Sequence, residues 1–178
     1  MRKIVLTFGF IAGAIMAVMM LITFLFQDRI GFDKGAIIGY TTMVLAFLMV
    51  YFGVRSYRDN VAGGSVTFGR ALSVGLLITA VATVCYVATW EVIYYKLAPD
   101  FGDKYAAYEV DKAKKAGATD AQIAARMEEM TKFKEMYRNP LVNIALTFLE
   151  PLPVGILIAL VTAGAVSRKR RVEGVATA

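Results

Sequence analysis

Residues 4–26 read IVLTFGFIAGAIMAVMMLITFLF, a run of 23 residues without one charged side chain. A helix of that length, at about 1.5 Å per residue, is long enough to cross a hydrocarbon layer of about 30 Å. Arg2 and Lys3 precede the run, as basic residues precede a secretory signal. The run is nevertheless longer than the roughly 7 to 15 apolar residues of a signal core. The stretch therefore predicts a retained transmembrane helix.

Three more apolar runs follow, at residues 35–54, 71–95 and 141–166, and their only charged side chains are Glu91 and Glu150. Together with the first run they account for a hydrophobic content of 58% over 178 residues, above the roughly one half that is typical of a soluble domain. We expect an all-α fold, a polytopic membrane protein with four transmembrane helices that form a single membrane domain over the whole chain.

Helix-ending and helix-capping residues in 98–139 predict an extramembrane helical hairpin between the third and fourth spans. Gly117 is placed to end a first helix, and Thr119 with Gln122 three residues later forms the capping-box pattern that begins a second. Asn139 is typical of an N-cap and Pro140 of the first turn, so a further helix should begin there. The hairpin should therefore lead directly into the fourth span.

Two further patterns predict how the helices pack. The second hairpin helix carries an apolar stripe at steps of three and four: Ile123, Met127, Met130, Phe133 and Tyr137. Small residues recur every four positions at three places: Gly9 and Gly13; Gly31, Gly35 and Gly39; Gly155, Ala159 and Ala163. The stripe is typical of an internal packing face, although a bilayer-surface or partner-binding role stays open. The small residues favour close helix approach, within one bundle or between subunits.

The composition excludes most familiar enzyme classes. The chain has no His and one Cys, Cys85, so metal clusters, an internal disulfide and His-dependent catalytic arrangements cannot be assembled from it. Neither GxxxxGK[ST] nor GxGxxG is present to hold a phosphate. The basic residues flank apolar runs instead of forming a nucleic-acid-binding patch. We expect no enzyme activity, no catalytic residues, no cofactor, no metal and no nucleic-acid partner.

The distribution of charge predicts the orientation. Nine basic residues lie in the N-terminal tail, the 55–70 link and the C-terminal cluster at 168–171, close to span ends. The opposite side has eleven, but ten acidic residues accompany them. Because the positive-inside rule weights basic residues in short segments beside the spans, both termini are predicted to be cytoplasmic. Trp90, Tyr94 and Tyr95 would then form an aromatic belt at the outer surface.

Glu150 is the most informative residue, because it lies near the middle of the fourth span, where a carboxyl group is costly unless it is protonated, paired or hydrated. Pro151 and Pro153 follow it and should bend the helix. Asn143, Thr147 and Glu150 stand at steps of four and three and form a candidate intramembrane polar site. Two roles stay open for Glu150: a proton-titrating or cation-binding site, and a protonated side chain hydrogen-bonded to a neighbouring helix.

The second link contains a candidate cytoplasmic interaction site, formed by Arg55, Arg58, Asp59 and Arg70. The arginines most simply anchor helix ends near anionic lipid. A specific role in binding a lipid headgroup or a partner is the alternative. Glu91, by contrast, should emerge at the outer interface, where a charge costs little.

Three segments carry a family resemblance: YFGVRSYRDN at residues 51–60, GGSVTFGRA at residues 63–71 and FLEPLPVG at residues 148–155. They resemble the bacterial membrane-protein family known as the domain of unknown function 4199, and the likeness extends over nearly the whole chain. The resemblance implies a four-span bacterial inner-membrane protein. It implies no activity and no catalytic residues.

The leading functional hypothesis is a non-enzymatic structural or accessory component of the bacterial inner membrane, acting through the arginine link and the outer hairpin. Its partners would be the lipid bilayer and either a second copy of the chain or another membrane protein. The alternative is an oligomeric proton- or cation-coupled transporter or channel that uses Glu150.

Overall fold

The computed structural model describes residues 1–167, and every regular element in that range is helical. The predicted basic cluster at 168–171 lies outside the described residues. The helices, in chain order, are α1 (Arg2–Leu25), α2 (Gln27–Ile30), α3 (Phe32–Asn60), α4 (Phe68–Val92, continued by a π-helical turn over Ile93–Leu97), α5 (Phe101–Lys115), α6 (Asp120–Tyr137), α7 (Pro140–Leu149) and α8 (Leu152–Val166).

Four helical stretches are long and apolar enough to cross a membrane: Arg2–Leu25, Phe32–Asn60, Phe68–Leu97 and Pro140–Val166. Large apolar side chains cover their outer faces, as expected of helices whose solvent is lipid. The predicted fold class, an all-α protein with four candidate membrane spans, is therefore confirmed. The helices extend beyond the charge-free runs because their polar ends continue the helical hydrogen bonding, and Thr67 caps α4 by accepting from the Arg70 N–H.

Small residues bring α1 and α4 into close contact. A Cβ added at Gly9 would lie 2.6 Å from the Val81 Cβ, and one added at Gly13 would lie 2.5 Å from the Cys85 Cβ. This small-residue pair therefore packs within one bundle, as its spacing favours. Gly39 is different, because no atom of residues 1–167 lies within 4 Å of the position that its Cβ would occupy. Gly39 therefore makes no close helix contact within the described bundle, and close approach between subunits there stays a prediction.

The hairpin is formed by α5 and α6, which pack against each other. Gly117 follows the first helix with φ of 79°, and the predicted capping box begins the second: the Thr119 N–H donates to Gln122 Oε1 at 2.8 Å. An ion pair between Glu109 and Arg126 joins the two helices. Within the predicted apolar stripe on α6, Met130 is buried, whereas Met127 is exposed.

The fourth span is broken at Glu150, so that α7 and α8 share α4 as a neighbour but differ in the second helix that each contacts. Pro151 lacks the N–H that would continue the helix, and α8 starts at the next residue. The first half, α7, packs against α4 and α6, whereas α8 packs against α3 and α4. Because of the break, the second half of α3 packs against α8, but the first half of α3 does not pack against the fourth span.

Candidate functional site

A cavity of about 430 Å³ fills the space that the broken fourth span leaves open. Its walls come from residues within 16–24 of α1, 32–43 of α3 and 86–94 of α4, and its cap comes from residues within 101–105 of α5 and 133–137 of α6. Aromatic and methionine side chains make up most of the lining, and among residues 1–167 Glu150 is the one carboxyl group in it.

Glu150 lies at the junction of α7 and α8 and lines this cavity. The hydroxyl of Tyr86, on α4, donates a hydrogen bond to Glu150 Oε2 at 2.8 Å. That contact crosses from the third span to the fourth. The carboxyl group therefore has a hydrogen-bond partner on another helix and also borders the cavity. The first feature fits a side chain hydrogen-bonded to a neighbouring helix, and the second fits a proton-titrating or cation-binding site.

Asn143 and Thr147 form a separate network beside the cavity. Both are buried, and neither side chain lines the cavity. Asn143 Oδ1 accepts from the Trp90 indole N–H at 3.1 Å and from the Thr147 hydroxyl at 3.2 Å, and the Tyr137 hydroxyl lies 3.1 Å from Thr147 Oγ1. These bonds join α4, α6 and α7. The structure therefore divides the sequence-predicted polar site, with Glu150 at the cavity and the other two residues in the packing between helices.

Aromatic rings form the cap of the cavity. Phe32, at the start of α3, contacts the rings of Phe101, Tyr105 and Tyr108 with centroid distances of 5.8, 5.5 and 4.9 Å. Such edge-to-face and tilted arrangements suit the ring quadrupoles. The hairpin is thereby held over the open end of the bundle.

The predicted outer aromatic belt is wrong for two of its three members. Trp90 lies 4.9 Å from the Phe101 ring, and Tyr94 is 8% exposed with Tyr137 at 5.3 Å. Both side chains pack inside the protein because the hairpin folds over the end of α4. Tyr95 remains exposed.

An ion pair fastens the hairpin to α3. Lys112 Nζ donates to Asp33 Oδ1 at 2.7 Å and lies 5.4 Å from the centre of the Tyr108 ring. The hydrogen bond to Asp33 raises the pKa of Lys112 above its ordinary value. Because both side chains are exposed, this pair orients the hairpin relative to α3 but adds little to the stability of the protein.

The four residues of the arginine link lie at the opposite end of the bundle. Asp59 pairs with Arg58 at 2.7 Å and with Arg55 at 3.6 Å, so these three form one cluster. Arg70 is held separately, because its Nε donates to the Tyr57 hydroxyl at 3.0 Å. The structure thus brings three of the four predicted link residues together and ties the fourth to α3.

Glu91 lies near the end of α4 but does not line the cavity. Its Oε1 is buried without a hydrogen-bond partner among residues 1–167. The same range contains no group of three or more acidic or cysteine side chains that could hold a metal ion.

Sequence reasoning missed the cavity and the role of Tyr86. A signal was present on α4, where Thr79, Thr83, Tyr86 and Trp90 follow one another at steps of four, three and four. Polar side chains at this spacing share one helix face, which in a membrane span points toward protein. That face is where Tyr86 meets Glu150 and Trp90 meets Asn143.

Comparison with known proteins gives a single assignment. No curated protein and no solved structure matches the chain. One family model matches residues 7–168, which agrees with the resemblance of the 51–60, 63–71 and 148–155 segments. Because the match covers nearly the whole chain, the protein belongs to the family described as "Protein of unknown function (DUF4199)".

Proposed function

We propose that the protein is a non-enzymatic component of the bacterial inner membrane that binds an apolar or amphiphilic molecule in its cavity. The observation that carries this proposal is the cavity of about 430 Å³ with aromatic and methionine walls. Ligand sites in proteins commonly measure about 300–1,000 Å³, with a mostly apolar lining and few polar groups. Methionine walls adapt their shape to different ligands.

The packing on the far side of Glu150 favours a binding site over a continuous pathway. Phe47, Val50 and Ile78 are completely buried there. A Cβ added at Gly75 would lie 3.1 Å from the Ala159 Cβ, so α4 and α8 are in close contact. This half of the bundle is filled by side chains, as a protein interior normally is.

Trp90 provides a direct test, because it is the one tryptophan of the chain and it lines the cavity. We would titrate purified protein in detergent with a neutral brominated biphenyl and follow Trp90 fluorescence, which bromine quenches at short range. The expected result is saturable quenching. Gly39→Leu should weaken it by about tenfold or more, because the new side chain extends into the space that the probe would occupy.

Two controls separate cavity binding from partition into the micelle. Gly164→Leu is a matched change on α8, where the added Cβ also meets no atom of the described residues 1–167 within 4 Å, and it should leave quenching unchanged. A reporter moved to the lipid-facing surface, Val161→Trp in a Trp90→Phe background, should show weaker and non-saturating quenching. Equal quenching of both reporters, or an unaffected Gly39→Leu variant, would contradict the proposal.

A transport role for Glu150 is the second candidate. It is favoured by the position of this residue between two half-helices, of which α7 packs against α6 and α8 packs against α3. A hinge at that point would let α7 move relative to α8. The test compares proton and cation flux in proteoliposomes for the parent and Glu150→Gln. Flux in the parent that the variant lacks supports transport, and no flux in either protein rules it out.

We also propose that the arginine link is the cytoplasmic contact surface of the protein. Its support is the cluster of Arg55, Arg58 and Asp59 at one end of the bundle, beside the separately held Arg70. Crosslinking in native membranes from cysteines placed at Ser65 tests for a partner. A hetero-crosslink supports an accessory role, whereas a self-crosslink indicates a homo-oligomer and contradicts a hetero-partner.

A further inference from the structure

We infer that the ligand of the cavity is an organic cation with an apolar body, its charged group placed beside Glu150. This inference rests on the proposed binding function and names the chemical class of the ligand. It follows from three observations: the acidic side chain of the lining that has no basic partner, the orientation of polar groups around Glu150, and the aromatic walls.

The described lining contains one acidic side chain, Glu150, that has no basic side chain paired with it. Within the part of the chain that the structure describes, Lys134 is the only basic residue among the lining side chains, and its Nζ pairs with Asp103 on the neighbouring hairpin helix. Its charge is therefore already balanced. Glu150 has no basic partner among residues 1–167. A carboxyl group inside a membrane span is expensive unless something pairs with it, and a ligand cation would supply that partner.

The geometry around Glu150 leaves room for such a ligand. Oε2 accepts the hydrogen bond from Tyr86, which holds the carboxyl group in one orientation. Oε1 accepts no hydrogen bond from any residue in the range 1–167. The side chain lines the cavity, so this second oxygen is the acceptor that a ligand would use.

The walls suit an organic cation better than a metal ion. Trp90, Tyr94 and Tyr137 line the space, with the Trp90 and Tyr94 rings 6.0 Å apart and the Tyr94 and Tyr137 rings 5.3 Å apart. Ring faces attract quaternary ammonium and related cations. A metal ion needs several oxygen ligands to replace its hydration shell, and one carboxyl group does not supply them.

The test uses two probes of nearly the same shape and opposite charge, tetraphenylphosphonium and tetraphenylborate. Each would displace the neutral brominated biphenyl from the cavity, with recovery of Trp90 fluorescence as the readout. We expect the phosphonium cation to displace it at a concentration at least about tenfold lower than the borate anion. Glu150→Gln should abolish this preference, and Glu150→Asp should keep it in part.

The controls separate failure of this inference from failure of the proposed function. Neutral-probe binding in Glu150→Gln shows that the variant is folded with its cavity intact. Glu91→Gln removes an acid that does not line the cavity and should preserve the cation preference. If the neutral probe binds but both ions displace it equally, or the preference persists in Glu150→Gln, the inference is wrong while the binding function stands. If the neutral probe does not bind in the parent, the binding function itself is wrong.

Discussion

At Gly155 the fourth span packs against the third with no space for a side chain. A Cβ added there would collide with Thr79 on α4 and lie 3.1 Å from the Phe47 ring. Gly155→Ala should therefore lower the free energy of unfolding by about 1–3 kcal/mol, as overpacking of a filled interior does. Thermal unfolding in detergent measures this as a fall in Tm. Gly164→Ala, where the space among residues 1–167 is open, should not lower Tm, and a Tm for Gly155→Ala that is no lower than that of the parent would contradict the packing described.

Asn143 is the residue that joins the polar network beside the cavity. Asn143→Leu keeps the size of the side chain but removes the acceptor of the Trp90 and Thr147 hydrogen bonds. We expect a loss of about 0.5–2 kcal/mol in unfolding free energy, the usual range for interhelical hydrogen bonds in membranes. The emission maximum of Trp90 should shift as well. Thr41→Val, at an exposed position on α3, is the matched control, and an unshifted emission maximum in Asn143→Leu would argue against the bond.

At the scale of elements, the contact between the hairpin and α3 depends more on rings than on charge. Phe32 meets three aromatic rings of α5, each pair contributing about 0.5–1.5 kcal/mol. Phe32→Ala should therefore increase hydrogen–deuterium exchange in α5 strongly, whereas Lys112→Met should increase it slightly, because the Asp33 pair is exposed. The reverse order would show that the ion pair holds the hairpin.

The same ion pair predicts how the contact between the hairpin and α3 responds to pH. The hydrogen bond to Asp33 raises the pKa of Lys112, so the stability that it contributes is fully present below the ordinary lysine pKa. That contribution is lost only as the pH rises through the raised pKa of Lys112. Exchange in α5 should therefore be the same at mildly acidic and mildly alkaline pH once intrinsic rates are corrected. A rise in corrected exchange within that window would contradict this assignment.

At the scale of the whole molecule, the orientation in the membrane remains a prediction. Arg2 and Lys3 lie at the same end of the bundle as the arginine link, since Gly53 near the end of α3 lies against Phe8 near the start of α1. In a Cys85→Ala background, Ala118→Cys should react with an impermeant maleimide in intact cells. Ser65→Cys should react only after the membrane is opened. The opposite labelling pattern would place the hairpin in the cytoplasm.

The sequence by itself determined the fold class, the order of the spans and the ends of the hairpin helices. These depend on local properties: apolar runs long enough to cross a bilayer, the Thr119 capping box, and Pro151, which cannot continue a helix. It also singled out Glu150. Only the tertiary structure decided what surrounds that residue. The cavity lies where α8, but not α7, packs against α3 and where the hairpin folds back over α4. Contacts between residues far apart in the chain, such as Tyr86 with Glu150, depend on helix packing and are not set by any local pattern.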